Sequence, residues 1–142
     1  MSDWTSRVQL ALNVDDVNSA VDFYSALFDA EPVKRRPGYA NFAVDQPPLK
    51  LALFENPGEG GTLNHLGVEL PTSDDVDTTQ RRLAERGLAS VDERDTTCCY
   101  ARQDKFWVDG QGSGRWEIYT VLADAGAELE GQTPRTGDAC CT

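Results

Sequence analysis

The stretch LKLALFENPGEGGTLNHLGVEL, residues 49–70, divides the chain into two parts. Two apolar runs typical of strands, Leu49–Phe54 and His65–Leu70, flank the segment Glu55–Thr62. That segment contains Pro57 and three glycines, and such a cluster interrupts regular structure. We therefore interpret Glu55–Thr62 as a linker between two structural units.

The same order of elements is predicted on both sides of this linker. Hydrophobic periodicity and turn residues indicate, before it, a strand Val8–Val14, a helix opened by Asp15 and Asp16, and strands Tyr39–Val44 and Leu49–Phe54. After it they indicate a strand His65–Leu70, a helix from Ser73 to Gly87, a short strand Ala89–Glu93, and strands Ala101–Val108 and Arg115–Leu122. A unit that occurs twice in one small chain predicts two modules in one sheet system, with ligands held between them.

Length and charge limit the classes of function. The chain has 142 residues, enough for one domain with a sizeable core. Thirteen basic and 24 acidic side chains leave a formal charge of -11, which repels phosphate backbones and anionic lipids. No apolar stretch resembles a membrane span or a signal peptide. We expect a cytoplasmic protein with no nucleic-acid and no membrane partner.

The four cysteines occur as two adjacent pairs, Cys98-Cys99 and Cys140-Cys141. Neighbouring Cα atoms are about 3.8 Å apart, too close for a relaxed disulfide. The thiolates of Cys98 and Cys99 could converge on one thiophilic ion such as trivalent arsenic or Cd(II). Two buried thiols, or a chance doublet, are the alternatives. Cys140 and Cys141 end a segment, 123–142, that lacks apolar periodicity, and we expect a flexible tail whose thiols are inert or capture metal.

Three polar residues in the predicted strands are candidates for a metal site. When the two modules are superposed, Gln9 lies against His65, and Leu51 lies against Glu117. Imidazole and carboxylate groups are ligands for divalent iron, and a carboxylate in an apolar strand must be paired or face solvent. The alternatives are a hydrogen-bonded structural His65 and a solvent-facing Gln9.

The segment from Asp95 to Val108 resembles a known signature. Asp95-Thr96-Thr97-Cys98-Cys99-Tyr100-Ala101-Arg102-Gln103-Asp104-Lys105-Phe106-Trp107-Val108 is similar to the carbon-arsenic lyases of the vicinal oxygen chelate superfamily and to the related cadmium-induced proteins. The resemblance extends from about Arg7 to Leu122. It includes Asn64-His65-Leu66-Gly67-Val68 and Trp116-Glu117-Ile118-Tyr119.

This resemblance implies an α+β fold in which two βαβββ modules form one vicinal oxygen chelate domain. The domain would span residues 1–122, with modules at about 7–55 and 64–122 and the tail at 123–142. It further implies an Fe(II) dioxygenase that uses O2 to cleave the carbon-arsenic bond of trivalent organoarsenicals such as methylarsenite and trivalent aromatic arsenicals. Gln9, His65 and Glu117 would be the catalytic iron ligands, and Cys98 and Cys99 would bind the arsenic of the substrate. Nickel or cobalt can occupy such a site in purified protein.

Two alternative functions stay open at this point. A cadmium- or arsenic-sequestering protein would need the thiol pair without a redox metal, and Gln9, where related oxygenases commonly have a histidine, favours that class. A glyoxalase-like isomerase would need a further carboxylate where Leu51 stands. The sequence leaves the oligomeric state open, a homodimer being one alternative.

Overall fold

The computed structural model describes residues 6–88, 90–98, 101–112 and 114–124, and these form two βαβββ modules. The elements of the first are β1 (Arg7–Val14), α1 (Val17–Phe28), β2 (Lys34–Arg36), β3 (Tyr39–Val44) and β4 (Leu49–Glu55). Those of the second are β5 (Leu63–Glu69), α2 (Ser73–Glu85), β6 (Val91–Cys98), β7 (Ala101–Asp109) and β8 (Arg115–Asp124). The predicted α+β fold with a repeated module is confirmed.

All eight strands belong to one sheet in the order β2-β3-β4-β1-β5-β8-β7-β6. The modules meet where β1 pairs with β5 in antiparallel orientation. Within each module the first and last strands are parallel neighbours, β1 with β4 and β5 with β8. The first strands of both modules therefore occupy the centre of the sheet, and residues from each can face one site.

Both helices pack on the same face of the sheet. On α1, Val17 and Val21 cover Phe42, Leu51 and Leu53, all buried. On α2, Val76 packs against Phe106 and Ile118 in a second cluster. Because strand side chains alternate between faces, residues one position away, such as Lys50 and Glu117, point to the opposite face. That face carries most of the polar residues that are buried.

The helix ends follow from local capping. The Asp16 carboxylate accepts a hydrogen bond from the Asn18 backbone N–H at 3.0 Å at the start of α1. At the start of α2, Thr72 Oγ1 accepts from the Asp75 backbone N–H at 3.1 Å. Thr72 has the extended backbone of an N-cap, so it caps α2 one residue before Ser73, the predicted start of the helix.

Two strands differ from the prediction. The short strand β2 was not predicted, and the predicted strand Ala89–Glu93 is instead β6, Val91–Cys98. Its central residues are charged or hydroxylated, so no apolar alternation marks it, and a register shift between Glu93 and Thr96 interrupts its pairing with β7. The shift surrounds Asp95, whose φ is 48°. Backbone hydrogen bonding at the sheet edge, rather than burial, defines this strand.

Within the described residues, neither helix is long and apolar enough to cross a membrane. The predicted tail, 123–142, lies outside the described residues apart from the last two residues of β8.

Candidate metal site

Gly67 lies at the centre of the site, between two of its functional side chains. In the sheet register Gly67 is the Cα partner of Gln9 on β1 and of Glu117 on β8. A Cβ atom at this position would lie 2.7 Å from the Glu117 backbone oxygen and 3.2 Å from Gln9 Nε2. Only glycine leaves room for the Gln9 amide to meet the Glu117 carboxylate across β5.

The structure brings Gln9, His65 and Glu117 together on the face away from the helices. Gln9 Nε2 donates to Glu117 Oε1 at 2.8 Å and lies 3.0 Å from His65 Nε2. His65 Nε2 is 3.5 Å from Glu117 Oε1. The three residues are 7%, 3% and 3% exposed, respectively. They form one contiguous buried cluster, although they come from three strands and both modules.

The donor set fits a divalent metal ion. Ligand atoms at about 2.1 Å from an octahedral ion are about 3.0 Å apart when they occupy adjacent positions. The distances of 2.8, 3.0 and 3.5 Å among the three terminal atoms are close to that value. Gln9 presents its nitrogen here, and turning the amide exchanges the nitrogen for the oxygen. Among the described residues, no group of three His, Cys, Asp or Glu side chains is suited to a metal, and the third donor beside His65 and Glu117 would be the Gln9 amide oxygen.

Three neighbouring side chains fix the orientation of the His65 imidazole. Its Nδ1 atom lies 2.8 Å from Asn64 Oδ1, an oxygen that can only accept. The proton is therefore on Nδ1, and the lone pair of Nε2 faces Gln9 and Glu117. The Trp107 ring meets the imidazole edge to face at 5.3 Å between centroids, and the Phe54 ring lies at 6.2 Å. These contacts orient the imidazole with its free nitrogen toward Gln9 and Glu117.

Glu117 is buried and ionised. Burial alone would raise the pKa of its carboxyl, but the adjacent Lys105 ammonium outweighs burial and holds the pKa below its ordinary value. Lys105 Nζ donates to Glu117 Oε2 at 2.7 Å, and Lys105 is 0% exposed. One carboxylate oxygen is thus taken by the lysine, and the other, Oε1, faces Gln9 and His65.

Tyr119 completes the hydrogen bonding of Gln9. Its hydroxyl donates to Gln9 Oε1 at 2.6 Å. Burial, together with the charges of Glu69 and Glu117, raises the pKa of Tyr119 well above its ordinary value. The phenol therefore stays protonated. Because a hydroxyl can both donate and accept, Tyr119 can hydrogen-bond either end of the Gln9 amide.

A cavity of about 100 Å³ opens above these residues. Its wall includes Tyr39, Asn41, Lys50, Ala101 and Gln103. Ala101 is the first residue of β7, and its Cα partner across the hairpin is Cys98. The backbone of Cys98 therefore lies beside the wall of the cavity. Cys99 and the side chain of Cys98 fall outside the described residues, so their arsenic-binding role stays a prediction.

Comparison with known proteins identifies the family of this chain. A sequence profile of the Glyoxalase/Bleomycin resistance protein/Dioxygenase superfamily matches residues 6–118. The chain belongs to this superfamily. The superfamily resemblance seen in the sequence is thereby confirmed, and the two modules and their shared face are those of the superfamily fold.

Two relatives have high sequence identity to this superfamily member. Cadmium-induced protein CadI of Mycobacterium tuberculosis (strain ATCC 25618 / H37Rv) is 62% identical over 133 residues, which cover 94% of this chain and 86% of the relative. The trivalent organoarsenical cleaving enzyme of Thermomonospora curvata is 54% identical over 138 residues, which cover 96% and 89%. Among solved structures, the Mn(II)-bound glyoxalase from Novosphingobium aromaticivorans has a TM-score of 0.58 and 17% identity, covering 84% of this chain and 41% of that one. At that identity the structural likeness concerns the fold alone.

The superfamily fold corrects one alignment made from the sequence. Leu51 was placed against Glu117, but Leu51 is 0% exposed and packs in the α1 core on the helix face. The residue of β4 that lies beside Gln9 on the site face is Lys50. A carboxylate at position 51 would point away from the cavity. Position 51 was therefore the wrong place to look for the further carboxylate that a glyoxalase-like isomerase needs.

The sequence assigned no role to four residues that hydrogen-bond or pack against the site residues: Asn64, Gly67, Lys105 and Tyr119. All four occur in the sequence segments that carry the superfamily resemblance, but nothing in their spacing indicates a contact. Lys105 and Tyr119 are Cα partners in the β7–β8 pairing. Their contacts depend on strand register, which an isolated sequence does not specify.

Proposed function

We propose that this protein cleaves the carbon-arsenic bond of trivalent organoarsenicals and releases inorganic arsenite, with Fe(II) as cofactor and O2 as co-substrate. Methylarsenite and trivalent aromatic arsenicals are the proposed substrates. The observation that carries the proposal is a single cavity wall that includes His65, Glu117 and Ala101, the Cα partner of Cys98. The names of two relatives support it, since the T. curvata protein and a Bacillus sp. (strain MD1) protein 40% identical over 112 residues are trivalent organoarsenical cleaving enzymes.

Gln9, His65 and Glu117 would hold the iron. Iron held by these residues would supply the electrons that activate dioxygen. The Lys105 ammonium leaves Glu117 Oε1 as the carboxylate oxygen available to the ion. Tyr119 can hydrogen-bond the Gln9 amide nitrogen when the amide oxygen turns toward the ion.

Cys98 and Cys99 would hold the arsenic. Each As–S bond would replace one As–OH bond of the substrate, and the thiol proton would leave with that hydroxyl as water. Two sulfur ligands occupy two of the three positions on trivalent arsenic, so only the organic substituent projects from it. Fixing arsenic in this way aims that substituent into the cavity, which is catalysis by orientation. Phe54, Tyr39 and Trp107, all at most 6% exposed, help to exclude water around the reacting groups.

A second function, sequestration of cadmium or arsenic without turnover, is favoured by one observation. Gln9 is neutral and Lys105 offsets the charge of Glu117, so the candidate metal site carries no net negative charge from these residues. Such a site attracts a divalent cation less strongly than a site with an unpaired carboxylate. The relatives named cadmium-induced protein are compatible with either function.

Arsenic speciation separates the two functions. Protein loaded anaerobically with Fe(II) is mixed with methylarsenite and then exposed to air. We expect arsenite to accumulate in wild-type protein and not in Glu117→Ala, which should still bind arsenic through its thiols. Cys98→Ser and Cys99→Ser should lose tight binding of phenylarsenite with Cys140 and Cys141 intact. Arsenic binding by wild-type protein without arsenite release would establish sequestration instead.

A further inference from the structure

A chain of hydrogen bonds joins the linker between the modules to the ring of His65. It begins at the Glu59 backbone carbonyl, which accepts from the Thr62 hydroxyl at 2.7 Å. The hydroxyl has a single proton, so Thr62 Oγ1 can only accept from its other neighbour. That neighbour is Asn13 Nδ2, at 2.9 Å.

The acceptor role of Thr62 Oγ1 determines which way two side-chain amides, those of Asn13 and Asn64, are oriented. Since Asn13 presents its nitrogen to Thr62, its oxygen faces Asn64 and accepts from Asn64 Nδ2 at 3.0 Å. Asn64 must then present its own oxygen to His65 Nδ1, at 2.8 Å. An amide oxygen only accepts, so the proton lies on Nδ1 and the lone pair of Nε2 faces the cavity.

We infer that Asn13 and Asn64 are positioning residues that fix the His65 ring and its tautomer for metal binding; the inference rests on the proposed metal site. Gln9 also favours a proton on Nδ1: the Glu117 carboxylate only accepts, so Gln9 presents its nitrogen to Glu117 and to His65 Nε2. An ion that takes the Gln9 oxygen removes that restraint. Asn64 then remains as the hydrogen-bond partner of the ring.

The positioning role accounts for a polar cluster that lies outside the cavity. Asn13, Thr62 and Asn64 belong to different elements or loops, and none of them lines the cavity. Asn56 Nδ2 also donates to Asn13 Oδ1, at 2.7 Å, but it lies off the path from Thr62 to His65. Groups that orient a metal-bound histidine through its second nitrogen typically change metal affinity by 10–100-fold when removed.

The test uses the fact that the chain contains one histidine. In metal-free protein uniformly labelled with nitrogen-15, the imidazole nitrogens can be assigned without ambiguity, and we expect the proton on Nδ1. Asn64→Leu should speed exchange of that proton with solvent at least tenfold and weaken Co(II) binding about tenfold. Asn64→Asp retains an acceptor and should keep both properties near wild type. Asn56→Ala is the matched control and should change neither.

Asn13→Leu is the decisive variant, since Asn13 does not contact His65. Faster exchange of the Nδ1 proton in Asn13→Leu supports the relay, and a rate equal to wild type overturns it. A wild-type ring protonated on Nε2 also overturns it. Correct tautomer and exchange behaviour in protein that binds no Co(II) would retain the hydrogen-bond relay but refute the proposed metal site and the role in metal binding.

Discussion

Lys105 Nζ lies 2.7 Å from Glu117 Oε2, and both side chains are almost completely buried. The lysine belongs to β7 and the glutamate to β8, and each is on the site face of the sheet. The pair places a positive charge next to the one anionic residue of the candidate metal site. The lysine therefore occupies one oxygen of the Glu117 carboxylate, and its positive charge opposes the binding of a metal ion.

We predict that Lys105→Met binds Co(II) at least tenfold more tightly than wild-type protein, about 1.4 kcal/mol. The variant removes charge repulsion between the ammonium and the ion. It also leaves a buried carboxylate without its partner, so the metal-free variant should lose about 3 kcal/mol of unfolding free energy. Anaerobic Co(II) titration followed by absorbance measures the affinity.

Lys50→Met is the matched control for Lys105→Met. Lys50 also lines the cavity but pairs with Glu69, at 3.6 Å. We expect a much smaller change in Co(II) affinity. A loss of stability alone cannot raise metal affinity, so equal or weaker binding by folded Lys105→Met would contradict the proposed role of Lys105.

Gly67→Ala should abolish tight metal binding. The added Cβ would lie 2.7 Å from the Glu117 backbone oxygen, so β5 and β8 must separate, and overpacking of this kind costs about 1–3 kcal/mol. Gly61→Ala is the control, because its Cβ meets no atom within 4 Å but its φ of 88° is unfavourable for alanine. Both variants should lose stability in urea unfolding, and only Gly67→Ala should lose Co(II) affinity.

The sequence predicts this site only in part, and the reason is strand register. Gln9, His65 and Glu117 could be selected because polar residues in apolar strands are unusual and because the surrounding segments resemble a known superfamily. The superposition of Leu51 on Glu117 was wrong because a shift of one residue moves a side chain to the other face of a sheet. Contacts such as Lys105 with Glu117 arise across strands, and no local periodicity encodes them.

The strands were predictable to the extent that they are buried. Leu49–Phe54 and Tyr39–Val44 are mostly apolar, and the structure places both strands within one residue of the prediction. β6 is polar and lies at the edge of the sheet, so hydrophobic burial provides no signal there. Its extension to Cys98 places the backbone of that residue opposite Ala101, which belongs to the cavity wall.

Asp104 should make the stability of the β6–β7 hairpin depend on pH. A hydrogen bond from Ser73, followed by one from the Asp95 backbone N–H, lowers the pKa of Asp104 below its ordinary value despite partial burial. The distances are 2.7 Å from Ser73 Oγ and 2.7 Å from the Asp95 N–H. A lowered folded-state pKa means that the ionised carboxylate stabilises the fold above the unfolded-state pKa of 3.8, and that this contribution disappears as the pH falls through the folded-state pKa.

We therefore expect Asp104→Asn to lower the free energy of unfolding at neutral pH by about 1 kcal/mol. The difference from wild type should shrink progressively as the pH falls below about 4. Urea unfolding at a series of pH values measures it, with Asp22→Asn, at an exposed position of α1, as the control. A difference that stays constant down to the lowest pH would show that the charge of Asp104 does not stabilise the hairpin.

Gln9→His tests whether position 9 faces the metal ion. Imidazole is a stronger donor to divalent iron than an amide oxygen, so a ligand at this position should bind Fe(II) or Co(II) more tightly as histidine than as glutamine. Gln9→Leu removes the donor while keeping a side chain of similar size, and its affinity should fall below that of wild type. The three proteins therefore form an ordered series, with affinity decreasing from histidine through glutamine to leucine.

The order matters more than any single value in this series. Both Gln9→His and Gln9→Leu lose the hydrogen bond that the Tyr119 hydroxyl donates to Gln9 Oε1, so disruption of the network alone would weaken both variants together. Tighter binding by Gln9→His can arise only if the new imidazole contacts the ion. Turnover is a poorer criterion, because a change of ligand geometry can reduce activity while affinity increases. Wild-type affinity in both variants would exclude Gln9 from the ligand set and leave His65 and Glu117 as the protein's contribution.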